Sequence, residues 1–295
     1  MSAAMKSVDF DYECPTTLDA VCRRLVEADG EAKLIAGGQT LVPLLAMRLA
    51  RPALLIDINR VAELQGIEDR GDHVAIRACT RQAAALADPA VRGRVPLLAK
   101  ALSFVGHAQT RNRGTIGGSL ANADPAAEIG LAALALDAEI SARSLDGERR
   151  IHLAQFFTGP METLLAPDEC LTRIRFPVWR DAGRVGTGFQ EVSIRQSDFA
   201  LAAAAVQLAL DAGGVCRRIA LSIGGADATP VRIAVSEDRL RGTMLAERDI
   251  AEAAAIARDA LTPLSDLHAS PVYRRRVAGA LVARAVAEAK AEATA

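Results

Sequence analysis

The sequence predicts an α+β chain of two domains. Three observations predict it. A length of 295 residues is about twice that of a typical domain. The first half places a glycine loop between an apolar strand and a helix, which is an α/β fragment. Beyond residue 178 the composition shifts to alanine-rich apolar runs that read as paired strands followed by helices.

Taken in order, Thr17 and Asp19 open a helix that carries Leu18, Val21, Cys22, Leu25 and Val26 at helical spacing and ends at Asp29-Gly30. Residues 33–36 form a short strand that stops at Gly37-Gly38-Gln39-Thr40. Residues 41–49 read as a short helix interrupted by Pro43, and 53–58 as a buried strand. A strand is expected over 73–78 and a helix over 95–105. The stretch 106–122, rich in Gly, Asn, Thr and Ser, reads as loop. Asp124-Pro125 then opens a helix through residue 136, with Asp as the cap and Pro at the first helical position. Two strands flank a hairpin signal at Asp146-Gly147. A strand over 171–176 ends before Pro177, where the domain boundary is placed. The first domain is therefore 1–178, divided near residue 58, and the second is 179–295. By alanine content 199–210 looks helical, yet it abuts Asp211-Ala212-Gly213-Gly214 and a second apolar run, 219–223. A hairpin of packed strands is the preferred reading. Helices over 247–261 and from Pro271 to about Ala289, the latter capped by Ser270, close the chain.

Composition narrows the function. Hydrophobic residues make up 51% and charged residues 24%, so a sizeable core is available and disorder is excluded. Only 3% is aromatic, which argues against modules that stack nucleobases on Phe or Tyr, and a net charge of −1 with dispersed Lys and Arg lacks a polyanion binder's footprint. Nucleic acid is not an expected partner. Cys14, Cys22, Cys79, Cys170 and Cys216 are odd in number, form no C-x-x-C and do not cluster with histidine, so free thiols in a reducing compartment are expected, with no metal or iron-sulfur site. Residues 1–11 show no leader pattern, and the longest apolar run is too short to span a bilayer. A cytoplasmic protein is expected, with Met1 and Met5 both candidate starts.

Chemistry must come from loops, because no dinucleotide fingerprint, phosphate loop, nucleophile elbow or zinc motif is present. What stands out is a pair: Ala36-Gly37-Gly38-Gln39-Thr40, and Gly114-Thr115-Ile116-Gly117-Gly118-Ser119. Adjacent glycines permit positive φ and let backbone N–H groups converge on a phosphate. Thr115 and Ser119 add hydroxyls. Either loop alone reads as a tight turn; together they suit the two phosphates of a dinucleotide.

These two segments, with the Leu120-Ala121-Asn122-Ala123-Asp124-Pro125-Ala126-Ala127-Glu128 that follows the second, closely resemble the FAD-binding motifs of the medium subunit of molybdenum hydroxylases, the family of carbon monoxide dehydrogenase and xanthine dehydrogenase. The resemblance runs over nearly the whole chain, through Asp198-Phe199-Ala200-Leu201 to the closing helices. It implies a two-part FAD-binding domain of the molybdopterin dehydrogenase type, followed by a smaller α+β domain of antiparallel strands and helices. It also implies that Leu34, Ile35, Ala36, Gly37, Gly38, Gln39, Thr40 and Leu41 run along the FAD pyrophosphate. Thr115, Gly117, Gly118 and Ser119 grip it from the other side, and Gly106 lies near the flavin. Asn122, Asp124 and Glu128 fall where the family contacts ribityl and ribose, and Leu171 packs on the flavin or adenine. Gln190 stands where mammalian-type relatives carry a lysine near the isoalloxazine, a departure from the pattern.

Apart from the resemblance, Asp124 reads equally as a helix cap and Glu128 as a first-turn carboxylate. His107 reads as a polar loop residue, Arg111 and Arg113 as phosphate or subunit contacts or a solvated face, and Tyr12 and Trp179 as packing residues. The implied role is electron transfer, with no catalytic residue and no metal in this chain. The implied partners are a large molybdenum-pterin subunit and a small subunit with two [2Fe-2S] clusters, as a dimer of heterotrimers that reduces a quinone, NAD or oxygen. The inserted four-cysteine loop of some relatives is absent. Two other readings stand beside it: a self-sufficient FAD oxidoreductase on the same scaffold, and a flavin-free docking subunit.

Overall fold

The computed structural model describes residues 6–180 and 183–295; the candidate starts Met1 and Met5 lie outside the described residues. The chain opens with β1 (Asp11–Glu13), α1 (Leu18–Glu27), β2 (Ala32–Ile35), α2 (Leu41–Ala46) and β3 (Leu54–Asp57). β3 is central, with β1 and β2 parallel on either side. Thr17 caps α1 by accepting the Ala20 N–H, and α1 buries Val21, Cys22 and Leu25 against this sheet. The predicted interruption at Pro43 does not occur. Pro43 is the third residue of α2, in the first turn, where an N–H would have no partner within the helix.

A second unit follows, with β4 (Ile67–Asp69), β5 (His73–Arg77), α3 (Gln82–Ala87), α4 (Pro89–Arg94), α5 (Pro96–Phe104), α6 (Ala108–Arg113), α7 (Ile116–Asn122), α8 (Glu128–Ala135), β6 (Glu139–Ser144), β7 (Gly147–His152), α9 (Leu153–Phe156), β8 (Phe157–Gly159), β9 (Glu162–Thr163) and β10 (Cys170–Pro177). Its antiparallel sheet has the order β4-β5-β10-β6-β7. The hairpin at Asp146-Gly147 joins β6 to β7 in register, with Ser144 opposite Gly147. Leu97, Leu98, Ala101 and Leu102 of α5 and Ile129, Leu131 and Ala132 of α8 share one core with Val74, Ile76, Ile140 and Ile174 of this sheet.

Two expectations are corrected in this unit. Residues 106–122 are mostly helical, in α6 and α7, because Thr115 caps α7 and burial of Ile116 and Leu120 outweighs the low helix propensity of Gly117 and Gly118. Asp124 does not start α8. Its carboxylate accepts the Ala126 N–H at 2.9 Å and its carbonyl accepts the Ala127 N–H, making a turn before a helix that begins only at Glu128.

The remainder is β11 (Arg184–Ser193), β12 (Ala200–Leu210), β13 (Cys216–Gly224), β14 (Val231–Arg232), α10 (Ala234–Leu240), α11 (Glu247–Asp259) and α12 (Pro271–Thr294), which runs past its expected end. The sheet order is β11-β12-β13-β14, so the alanine-rich segment is a strand paired with β13, as the hairpin reading requires. Both faces of β12 are covered. Ala203, Ala205 and Ala209 join the core around α5 and α8, while Ala202, Ala204, Val206 and Leu208 face α11 and α12. Small side chains follow from that sandwiching. On β11 a Cβ at Gly188 would collide with the Ala285 carbonyl oxygen of α12. Ser222 donates to the Leu131 carbonyl at 2.9 Å, and the Gly225 N–H donates to the Pro125 carbonyl at 2.8 Å, tying this sheet to the start of α8. Among the described residues no helix is long and apolar enough to cross a membrane.

Candidate functional site

β2 ends at Ile35, where the Ile58 N–H makes the last bond of the ladder to the Ile35 carbonyl. From there to the start of α2 the chain makes a bare turn. None of the backbone N–H groups from Ala36 through Leu41 donates to an acceptor among the described residues. Gly38 has φ +71°, the left-handed conformation that costs glycine nothing, and Gln39 folds its amide back onto the Gly37 carbonyl at 3.1 Å. Six successive donors without acceptors among the described residues, on a segment mostly half-buried, have the hydrogen-bonding capacity to receive an anionic group.

The second glycine segment is built differently. Gly117 and Gly118 do not have positive φ, and the N–H groups here are already engaged. Ile116 donates to the Thr80 carbonyl at 3.1 Å and Gly117 to the Ala78 carbonyl at 2.9 Å. Gly118 donates to the Thr115 hydroxyl oxygen at 3.0 Å, and Ser119 to the Thr115 carbonyl at 3.2 Å. Its glycines serve close approach instead. A Cβ on Gly117 would stand 2.6 Å from that of Ala78, and one on Gly118 would be 2.6 Å from the Thr115 hydroxyl and 3.9 Å from the Ala36 Cβ. The two segments also touch directly, since a Cβ on Gly37 would meet the Arg113 carbonyl oxygen at 2.5 Å and the Gly114 Cα at 2.8 Å. One segment brings free amides and the other brings the wall they lean on.

The other expected residues divide. Gly106 has φ +43° and its carbonyl accepts from Arg111, whose guanidinium also holds the Val105 carbonyl, so Arg111 braces the turn before α6. His107 is the exposed residue preceding that helix. Asn122 lies at the end of α7, its amide 3.9 Å from the Met161 sulfur. Leu171 is buried in β10 opposite Ala142, within the main core. Tyr12 is exposed, not packed, and donates its hydroxyl to Asp57 at 2.6 Å, whereas Trp179 is buried as expected.

Gln190 is not brought to this group. Its amide donates to Glu288 of α12 at 2.8 Å, on the side of β11 where Gly186 and Gly188 also meet that helix. The next residue, Glu191, lies on the opposite face of the strand, close enough to Glu128 to feel its charge. Burial raises Glu191 to about 8, with Glu128 adding to the shift, and one of its oxygens is buried without a hydrogen-bond partner. Burial likewise lifts Glu128 to about 7, with Asp124 contributing, and raises Asp124 itself. Asp124, Glu128 and Glu191 thus form an acidic seam between α8 and the C-terminal sheet. Sequence reading missed Glu191 because a one-residue offset on a strand reverses the face. It also missed Asn59 and Arg81, which lie between the glycine segments and carry no motif.

A cleft of about 280 Å³ adjoins this seam, lined by Asp124, Pro125, Phe199, Leu201 and Arg274 among others. All five cysteines are free, and burial raises Cys79 to about 12, which leaves it an unreactive thiol. Among the described residues no group of three or more His, Cys, Asp or Glu is placed to hold a metal ion.

Residues 8–179 match the family model described as the FAD binding domain in molybdopterin dehydrogenase, and 187–289 match the CO dehydrogenase flavoprotein C-terminal domain. The chain belongs to the FAD-binding medium subunits of the molybdenum hydroxylases. Among these relatives it is 39% identical to the 6-hydroxypseudooxynicotine dehydrogenase complex subunit alpha of Paenarthrobacter nicotinovorans, over 97% of this chain and 96% of that protein. It is 36% identical to the nicotine 6-hydroxylase medium subunit of the same organism, over 97% and 99%. The structure of carbon monoxide dehydrogenase from Hydrogenophaga pseudoflava aligns with a TM-score of 0.93 at 32% identity, covering 97% of this chain and 99% of that one. This medium subunit therefore shares the two-part fold of its relatives throughout. Its cofactor is FAD, and the free amide row with its Cβ-less wall fits a pyrophosphate.

Proposed function

We propose that this chain is the electron-transfer subunit of a heterotrimeric molybdenum hydroxylase. Its partners are a large molybdenum-pterin subunit and a small subunit with two [2Fe-2S] clusters, assembled as a dimer of heterotrimers. When bound, FAD supplies the redox chemistry, accepting electrons from the partner's clusters and passing them to a quinone, NAD or oxygen. The chain itself binds and orients.

Residues 34–41 hold the pyrophosphate through the amides of Ala36 to Leu41, the observation that carries this reading. Gly118 keeps the wall facing Ala36 free of a side chain, Gly117 lets that wall pack closely on Ala78, and the Thr115 hydroxyl and Ser119 complete this side of the grip. Asn122, Asp124 and Glu128 border the ribityl and ribose portions, Gly106 lies near the flavin, and Leu171 supplies apolar packing. The domain boundary falls near Pro177, between a sheet that frames the cofactor and one that covers the start of α8.

The test is the visible spectrum of the complex purified with its partners. A flavin signal, with FAD released on denaturation, is expected; its absence sinks the proposal. Substrate turnover by the isolated chain reconstituted with FAD alone would favour a self-sufficient oxidoreductase instead.

A further inference from the structure

Behind the two glycine segments lies a connected set of polar side chains that neither motif contains. Asn59 follows β3 and donates its amide to the Ala36 carbonyl at 2.7 Å and to Asp57 at 2.6 Å. Its side-chain oxygen accepts from Arg81 at 2.8 Å. The other arm of the Arg81 guanidinium donates to the Arg113 carbonyl, the oxygen that Gly37 packs against. The path is closed: Ala36 carbonyl, Asn59, Arg81, Arg113 carbonyl, Gly37. Tyr12 and the Asn59 N–H hold the far end by bonding Asp57. Residue 81 also bridges Thr115 backbone to backbone, with the Gln82 N–H on the Gly114 carbonyl at 2.9 Å.

Two consequences follow from elementary chemistry. A carbonyl and the N–H of the next residue belong to one rigid peptide plane and point in opposite directions. Fixing the Ala36 carbonyl on Asn59 therefore aims the Gly37 N–H away from Asn59. Secondly, Arg81 gives these two bonds to neutral oxygens, and it reaches the Asp57 carboxylate only through the Asn59 side chain. A half-buried cation that joins two anion-directed loops and meets a carboxylate only across the Asn59 amide keeps positive charge to offer an anion.

We propose that Asn59 and Arg81 are positioning residues for the FAD pyrophosphate: Asn59 sets the direction of the amide row, and Arg81 locks the two loops together while supplying the positive charge that both motifs lack. This inference rests on the FAD reading of the site. The loops then neutralise the diphosphate through one buttressed cation behind the amides, without a lysine among them.

The experiment measures FAD binding to the deflavinated full-length chain by equilibrium dialysis across a series of salt concentrations. Arg81→Met is expected to raise the Kd at least tenfold and to flatten its salt dependence, because a charge that attracts the diphosphate has gone. Arg81→Lys keeps the charge without the fork, so the salt slope is retained while the Kd rises about threefold. Asn59→Ala is expected to raise the Kd several-fold with the slope unchanged, the signature of lost aim. ADP, which carries the diphosphate without the flavin, should show the same ranking as a competitor. A merely structural role would not move the salt slope. Should Arg81→Met fail to fold, Arg81→Lys and Asn59→Ala decide: wild-type affinity for FAD in both overturns the proposal. Wild-type chain that binds no FAD would instead overturn the FAD reading itself.

Discussion

The Arg113 carbonyl oxygen occupies the space that a Cβ on Gly37 would need, 2.5 Å from where that atom would stand. The contact joins the parallel-sheet unit to the antiparallel-sheet unit at the point where the free amides begin. It leaves no room for a side chain at residue 37.

Gly37→Ala forces that carbonyl or the loop to move. Overpacking of this kind costs about 1–3 kcal/mol, and the displaced amide row should retain little FAD. Flavin content after gel filtration and a urea midpoint measure the two effects. Full flavin occupancy in the variant would show that the loops need not touch.

Thr115 caps α7 through its hydroxyl oxygen while almost wholly buried. Thr115→Val keeps the shape and loses the bond, a loss of about 1 kcal/mol, with the Gly118 N–H left unpaired beside Ala36. Thr115→Ser keeps the acceptor and should sit between the two in thermal unfolding. Equal stability of the valine and wild-type chains would contradict the capping role.

The acidic seam predicts a pH dependence with a definite sign. Folding raises Glu128 to about 7 and Glu191 to about 8, so each group favours the folded state below the ordinary carboxylate range. That contribution is lost as pH rises through 7 to 8. Wild-type stability should therefore fall by several kcal/mol between about pH 5 and pH 9 on this account. Glu191→Gln removes one titrating group and should flatten the decline. Parallel curves for the two proteins over that interval would count against the seam.

Lys100 of α5 bonds Glu288 at 2.8 Å, Glu292 at 2.6 Å and the Thr187 carbonyl at 2.7 Å, joining the central unit to the last helix. Lys100→Met leaves two carboxylates facing each other. A loss on the order of 1–2 kcal/mol is expected for such partly buried pairs. Adding Glu292→Gln should recover part of it, and a double-mutant cycle reads the coupling.

Much of this architecture is legible in the residues. Alternation and caps mark α1, the hairpin at Asp146-Gly147 and the β12–β13 pair, because each depends on contacts between near neighbours in the sequence. The two glycine segments stand out in the sequence for the same reason. What they do not announce is which of them keeps its amides free. That depends on Thr80, Ala78 and Thr115 taking the N–H groups of the second segment, and two of those acceptors lie more than thirty residues upstream. Gln190 and Glu191 illustrate a finer limit. Which face of β11 looks at α8 is fixed by the fit of Gly186 and Gly188 against α12, a tertiary choice that local pattern leaves open. Asn59 and Arg81 were invisible since their importance lies in the carbonyls they hold.

The chain contains a single tryptophan, and its position gives the molecule a built-in reporter. Trp179 is 8% exposed and lies just after β10, with the Arg218 guanidinium of β13 stacked 4.0 Å above its ring. The indole thus belongs to the strand end of the central unit, while the cation stacked on it belongs to the C-terminal sheet. Its emission will respond when those two parts come apart. Separation of the parts can then be followed by light, apart from the signal of the flavin.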